Sequence, residues 1–94
     1  MSYERPRLTL SIKDLMDAGL LKAGQQLRFR RRNDTQAQIT SQGKILFRGV
    51  EYKTPSGAAK AVDDTTLNGW IIWQLKSEDK GWVTLARIRR QRQI

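Results

Sequence analysis

Apolar and polar positions are arranged along the first half of the chain so that one helical segment is followed by a run of strands. Ser11 followed by Asp14 is an N-terminal helix signal with Ser11 as the cap. Ile12, Leu15 and Met16 share one helical face, and Gly19 supplies a stop, so a short helix is expected over 11–18. Leu20 and Leu21 anchor its exit, and Gly24 begins a turn. From Gln26 to Arg32 the pattern changes to period two, with Leu27 and Phe29 on one side and Arg28, Arg30 and Arg32 on the other. That is the mark of a strand with one buried face. Asn33-Asp34 signals a turn. Ala37, Ile39 and Ser41 then alternate with Gln36, Gln38 and Thr40 in a second strand, and Gln42-Gly43 turns again. Ile45 and Phe47 mark a third strand, Gly49 ends it, and Val50 to Lys53 add a short fourth piece. Short strands joined by tight turns predict an antiparallel meander.

In the second half, Thr54 is a natural helix cap and Pro55 suits the first helical turn. Ala58, Ala59, Ala61 and Val62 form a small-residue helix over 55–63. A polar loop leads to the turn dipeptide Asn68-Gly69, and Trp70 to Leu75 reads as a buried strand. In such a strand Trp70 and Trp73 face opposite sides. Trp73, with Ile71 and Leu75 on its own face, is the core residue, and Trp70 is left for contacts. A charged loop over 76–81 is followed by Trp82, Leu85 and Ile88 at helical spacing, which predicts a C-terminal helix with basic residues on its other faces. The expected class is α+β: a small antiparallel sheet of about four strands with two to three short helices. Its organisation is an arm over 1–7, one domain over 8–76, and a charged loop with a basic helix or tail over 77–94.

The charge balance narrows the function. Of 94 residues, 18 are Lys or Arg and 9 are Asp or Glu, for a net charge of +9. Such an excess strains a compact fold by self-repulsion and points to a polyanionic partner. The chain has neither Cys nor His, which removes disulfides, thiol and imidazole chemistry, and the usual zinc sites. No apolar run approaches the ~18 residues of a membrane span, and the polar N-terminus has no apolar signal region. A cytoplasmic, nucleoid-associated protein without cofactor is expected.

The basic residues form two groups: Arg28, Arg30, Arg31 and Arg32 on or beside the first strand, and Arg87, Arg89, Arg90 and Arg92 near the C-terminus. Alternation places Arg28, Arg30 and Arg32 on the wet face about 7 Å apart, close to the phosphate spacing of one DNA strand. Arginine's planar fork suits phosphate. A solvated strand face, or an edge strand guarded by charge, would also account for the row. The C-terminal group is either a DNA-binding or a solubilising tail.

Ser56-Gly-Ala-Ala-Lys60-Ala-Val, with Asn68-Gly-Trp70 and Trp73, resembles the RAMA domain, a module associated with restriction enzymes and adenine methylases. Ile12-Lys-Asp-Leu15, Ala18-Gly-Leu-Leu21 and Leu27-Arg-Phe29-Arg-Arg add to the likeness, which covers about residues 8–76. A similar region lies at the C-terminus of some bacterial cell-cycle adenine methyltransferases. The resemblance implies a compact α+β module that binds DNA and is proposed to read modified bases. It places Ser56 and Trp70 on the DNA side, with Lys60 and Asn68 as neighbours.

The residues add their own reading. Ser56 in the first turn of a helix lies where unpaired N–H groups favour an anion, with Lys60 one turn on; equally, Ser56 is only a helix-start residue and the alanines only pack. The Asn68 amide matches an adenine edge, and Asn before Gly also simply makes a turn. Glu51-Tyr-Lys53 with upstream Asp34 is a fragment of a nuclease pattern, too weak to predict catalysis without placed acids and bases. No catalytic or metal-binding residue is therefore assigned. The expected function is a non-enzymatic module that binds double-stranded DNA, with reading of methylated DNA as the finer expectation. The site residues are Arg28, Arg30, Arg32, Ser56, Lys60, Asn68, Trp70, Arg87 and Arg90. The alternatives are a subunit of a restriction or defence system that docks an acidic partner protein, and an RNA or single-strand binder.

Overall fold

Six antiparallel strands in the order β4-β3-β2-β1-β5-β6 form one sheet, and helices cover one of its faces. This is a computed structural model, and it describes residues 10–30, 32–65 and 68–93, with the side chains of Asn33, Arg92 and Gln93 excepted. The arm expected over 1–7, Arg31 and the Arg92 side chain lie outside the described residues. The elements are α1 (Ile12–Asp17), β1 (Gln26–Phe29), β2 (Arg32–Ile39), β3 (Ile45–Phe47), β4 (Val50–Tyr52), α2 (Pro55–Val62), α3 (Gly69–Ile72), β5 (Trp73–Ser77), β6 (Gly81–Thr84) and α4 (Leu85–Gln93).

The α+β class holds, with six strands and four helices where about four and two to three were expected. The helix starts follow their caps. Ser11 and Asp14 form a reciprocal capping box on α1: the Asp14 amide donates to Ser11 Oγ and the Ser11 amide to Asp14 Oδ2. Thr54 Oγ1 accepts the Gly57 amide at 3.0 Å, with Pro55 at the first position of α2. Arg48 and Gly49, both at positive φ (51° and 81°), close the β3–β4 hairpin in the conformation that two-residue turns favour.

Two segments depart from expectation. Trp70 to Ile72, expected as the start of a strand, lie in a single helical turn, Gly69–Ile72. A short apolar run does not distinguish strand from helix, and the Asn68 cap together with packing on α2 decides for helix here. Residues 82–84, expected in the first turn of a helix, belong instead to β6. Gly81, at φ 72°, closes a hairpin that pairs Lys76 with Trp82 and Leu75 with Val83. The C-terminal helix starts only at Leu85, where Thr84 Oγ1 accepts the Arg87 amide.

The core lies between the sheet and the helices. Leu27, Phe29, Ala37, Ile39, Ile45, Phe47, Leu75 and Val83 point from the sheet into it, meeting Leu15, Ala58, Ala59 and Leu85 from the helices. Trp73 sits at its centre, fully buried, with Phe29 edge-on at 5.3 Å and its indole N–H donating to the Pro55 carbonyl at 3.0 Å. Val83 and Leu85 belong to this same core, so the last strand and α4 are integral to it.

Candidate nucleic-acid interface

The expected row of three arginines along one strand does not form. β1 ends at Phe29, the chain reverses, and Phe29 pairs with Arg32, the first residue of β2. The inward parity of Thr35, Ala37 and Ile39 carries the β1–β2 ladder past Asn33-Asp34, overriding that dipeptide's turn preference, and the register shifts between Arg28 and Phe29. The guanidiniums consequently part. Arg28 hydrogen-bonds Gln74 Oε1 at 2.8 Å and lies 4.0 Å over the Trp82 ring. Arg32 approaches Asp63 at 3.6 Å and the Phe29 ring at 5.3 Å. Arg30 is exposed, its backbone N–H donating to the Ile72 carbonyl.

The residues of the Ser-x-Ala-Ala and Asn-Gly-Trp motifs do come together, at the junction of α2 and α3. Asn68 Oδ1 accepts the Trp70 amide at 2.9 Å, which starts α3. The Gly69 amide donates to Ser56 Oγ at 2.9 Å. A β-carbon at Gly69 would overlap the Pro55 carbonyl, so only glycine lets the two helix starts approach this closely. Ser56 and Asn68 thus each commit an oxygen to holding the junction. Lys60 is exposed one turn beyond Ser56 on α2.

Beside this junction opens a cleft of about 400 Å³. Lys13, Lys44, Lys53 and Arg89 line it together with Trp70 and the start of α2, and among the described residues no carboxylate does. Lys13 is tied to Asp17 at 2.9 Å, and Lys44 lies 4.0 Å from Glu51. Neither Lys53 nor Arg89 has a carboxylate within ion-pair distance among the described residues. Trp70 is half-buried, and the Arg89 guanidinium lies 4.0 Å over its ring. Desolvation lowers the Arg89 pKa from the usual arginine value. The result is a concave surface with an aromatic wall, on which Lys13 and Lys44 have carboxylate neighbours and Lys53 and Arg89 have none among the described residues.

The chain matches the profile of the RAMA family, Restriction Enzyme Adenine Methylase Associated, over residues 1–92. It belongs to that family. The match extends past the 8–76 stretch that carried the resemblance, and it links this RAMA domain to restriction–modification systems. No curated protein matches the chain.

Within the RAMA domain the remaining basic residues lie elsewhere. Arg87 and Arg90 are exposed on α4, about 160° and 100° around the helix from Arg89. Arg87 lines a smaller recess, of about 280 Å³, against the β5–β6 turn. Sequence reading missed Lys53 and Arg89 as a pair, because one follows β4 and the other sits on α4. Only the stacking of α4 on α3 brings them to one cleft. The helical parity of Arg89 against Leu85 and Ile88 was readable; its meeting with Trp70 was not. Among the described residues no group of three acidic side chains stands where it could hold a metal ion, and Glu51 lies 4.0 Å from Lys44, which lines the same cleft as Lys53. No helix among the described residues is long and apolar enough to cross a membrane.

Proposed function

We propose that this chain is a non-enzymatic, cytoplasmic DNA-binding module of a restriction–modification system, and that the cleft beside Trp70 is where duplex DNA docks. The observation that carries the reading is the lining of that cleft among the described residues: four cations, one tryptophan and no carboxylate. Lys53 and Arg89 have no carboxylate partner among the described residues, and phosphates neutralise that excess with release of counterions. The net charge of +9 supports the same reading. The motif residues Ser56, Gly69 and Asn68 support it indirectly: they hold Trp70 at the rim and do not themselves grip the ligand.

The finer reading is that Trp70 meets a base, and that adenine methylation alters the fit. Fluorescence anisotropy with a labelled duplex, methylated or not and at several salt concentrations, tests both levels. Salt-dependent duplex binding that Lys53→Ala and Arg89→Ala weaken is the expected result. Binding untouched by either substitution removes the cleft from the reading, and equal affinity for the two duplexes removes the modified-base preference.

A further inference from the structure

Among the described residues the helices cover one face of the sheet and leave the other open, and that second face is not a bland solvated surface. On its β1–β5–β6 half stand Gln26 and Arg28, then Gln74 and Lys76, then Trp82. Trp82 is 38% exposed, on the side of β6 opposite the buried Val83. Lys76 is its direct cross-strand partner, with the ammonium 5.7 Å from the indole. The Arg28 guanidinium lies over the same ring at 4.0 Å, held by Gln74 Oε1 at 2.8 Å. No carboxylate stands on these three strands; the nearest strand-borne acids are Asp34 on β2 and Glu51 on β4.

We propose that this half of the open face binds unpaired DNA. Three features of its chemistry converge on that occupant. The exposed part of the Trp82 indole, with the Arg28 guanidinium over its ring, offers a surface on which bases stack irrespective of sequence, at about 1–3 kcal/mol per base. The two cations stand where a phosphodiester backbone crossing the strands would need them. The Gln26 carboxamide both donates and accepts, and the Gln74 amide N–H groups donate while its oxygen holds Arg28, which suits the Watson–Crick edges that only an unpaired strand exposes. A duplex, with its bases stacked inside, makes poor use of an exposed indole. The choice of DNA over RNA rests on the family's link to DNA modification; the surface itself is separate from the Trp70 cleft and stands or falls independently of it.

Anisotropy with a labelled mixed-sequence single strand of about 12–15 nucleotides, its duplex and its RNA copy tests the proposal. Trp82→Ala weakens single-strand binding about tenfold, Trp82→Phe retains most of it, and neither changes duplex affinity. Lys53→Ala gives the opposite pattern if the cleft holds duplex, so the two readings fail separately. Should Trp82→Ala disturb folding, Lys76→Gln is the second probe: its exposed side chain leaves the fold intact, and the single-strand salt slope flattens by about 0.7. Three results overturn the proposal: no measurable single-strand binding, as a protein-docking face would give; tighter binding of the RNA copy; or single-strand affinity unaltered by both Trp82→Ala and Lys76→Gln.

Discussion

The backbone N–H of Gly69 donates to the hydroxyl of Ser56 at 2.9 Å, joining two helix starts that lie 13 residues apart. The motif that marks the family is therefore first a folding device. Ser56→Ala leaves the Gly69 amide, a buried residue's donor, without its partner and is expected to cost about 1–3 kcal/mol. Gly69→Ala costs more, because the added methyl meets backbone atoms of Pro55 and Ser56 that cannot move aside. Urea denaturation of both variants checks the order.

Trp73 couples that junction to the core through its indole N–H on the Pro55 carbonyl. Trp73→Phe keeps an aromatic ring for Phe29 but removes the donor and part of the volume. A loss of about 2–4 kcal/mol is expected from the orphaned carbonyl and the space left behind, read as a lower denaturation midpoint at unchanged slope.

Salt dependence separates the scattered arginines from the cleft. Each phosphate contact contributes about −0.9 to the slope of log affinity against log salt for duplex DNA. Lys53→Ala and Arg89→Ala are each expected to flatten the slope by about that amount. Arg32→Ala changes it less, since Arg32 already faces Asp63. A titration series at four or five salt concentrations for each variant gives the comparison.

Two carboxylates set the acid limb of stability. Asp14 is held below its usual pKa by the backbone and side-chain hydrogen bonds of Ser11, and Asp63 by those of Thr65, with Arg32 adding a smaller contribution. A depressed folded pKa stabilises the fold above the unfolded value, and the contribution disappears as pH falls through the folded value. Both are 3.8 in the unfolded reference, so melting temperature is expected to be flat above about pH 5 and to fall below 3.8. Asp14→Asn and Asp63→Asn shallow that fall, as melts between about pH 2.5 and 6 would show.

Much of the scaffold was legible because its signals are local. Ser11 with Asp14, and Thr54 before Pro55, cap helices within three or four residues, and both helices start where those caps stand. The alternation around Leu27, Phe29, Ala37 and Ile39 orients those strands correctly. Trp73 was placed in the core from its neighbours alone, and it is there. The site was less legible. Trp70 was singled out, but in the wrong element, and the partner that defines its surroundings, Arg89, was only one cation in a tail. Trp82 was given to a helix on the strength of its spacing to Leu85 and Ile88. Pairing with β5 turned it to the opposite face.

By itself the sequence determined the chemistry available: a strongly basic chain without thiol or imidazole, its helix caps, the apolar parity of its strands, and the family motif. Tertiary structure alone decided which charges stand together. A register shift and an early chain reversal parted Arg28 from Arg32, while the packing of α4 on α3 carried Arg89 onto Trp70. The reason is one of range. A cap or a strand parity is fixed by groups a few residues apart, whereas a binding surface is assembled from side chains on separate elements, whose meeting depends on which ladder and which helix contact release the most free energy on folding.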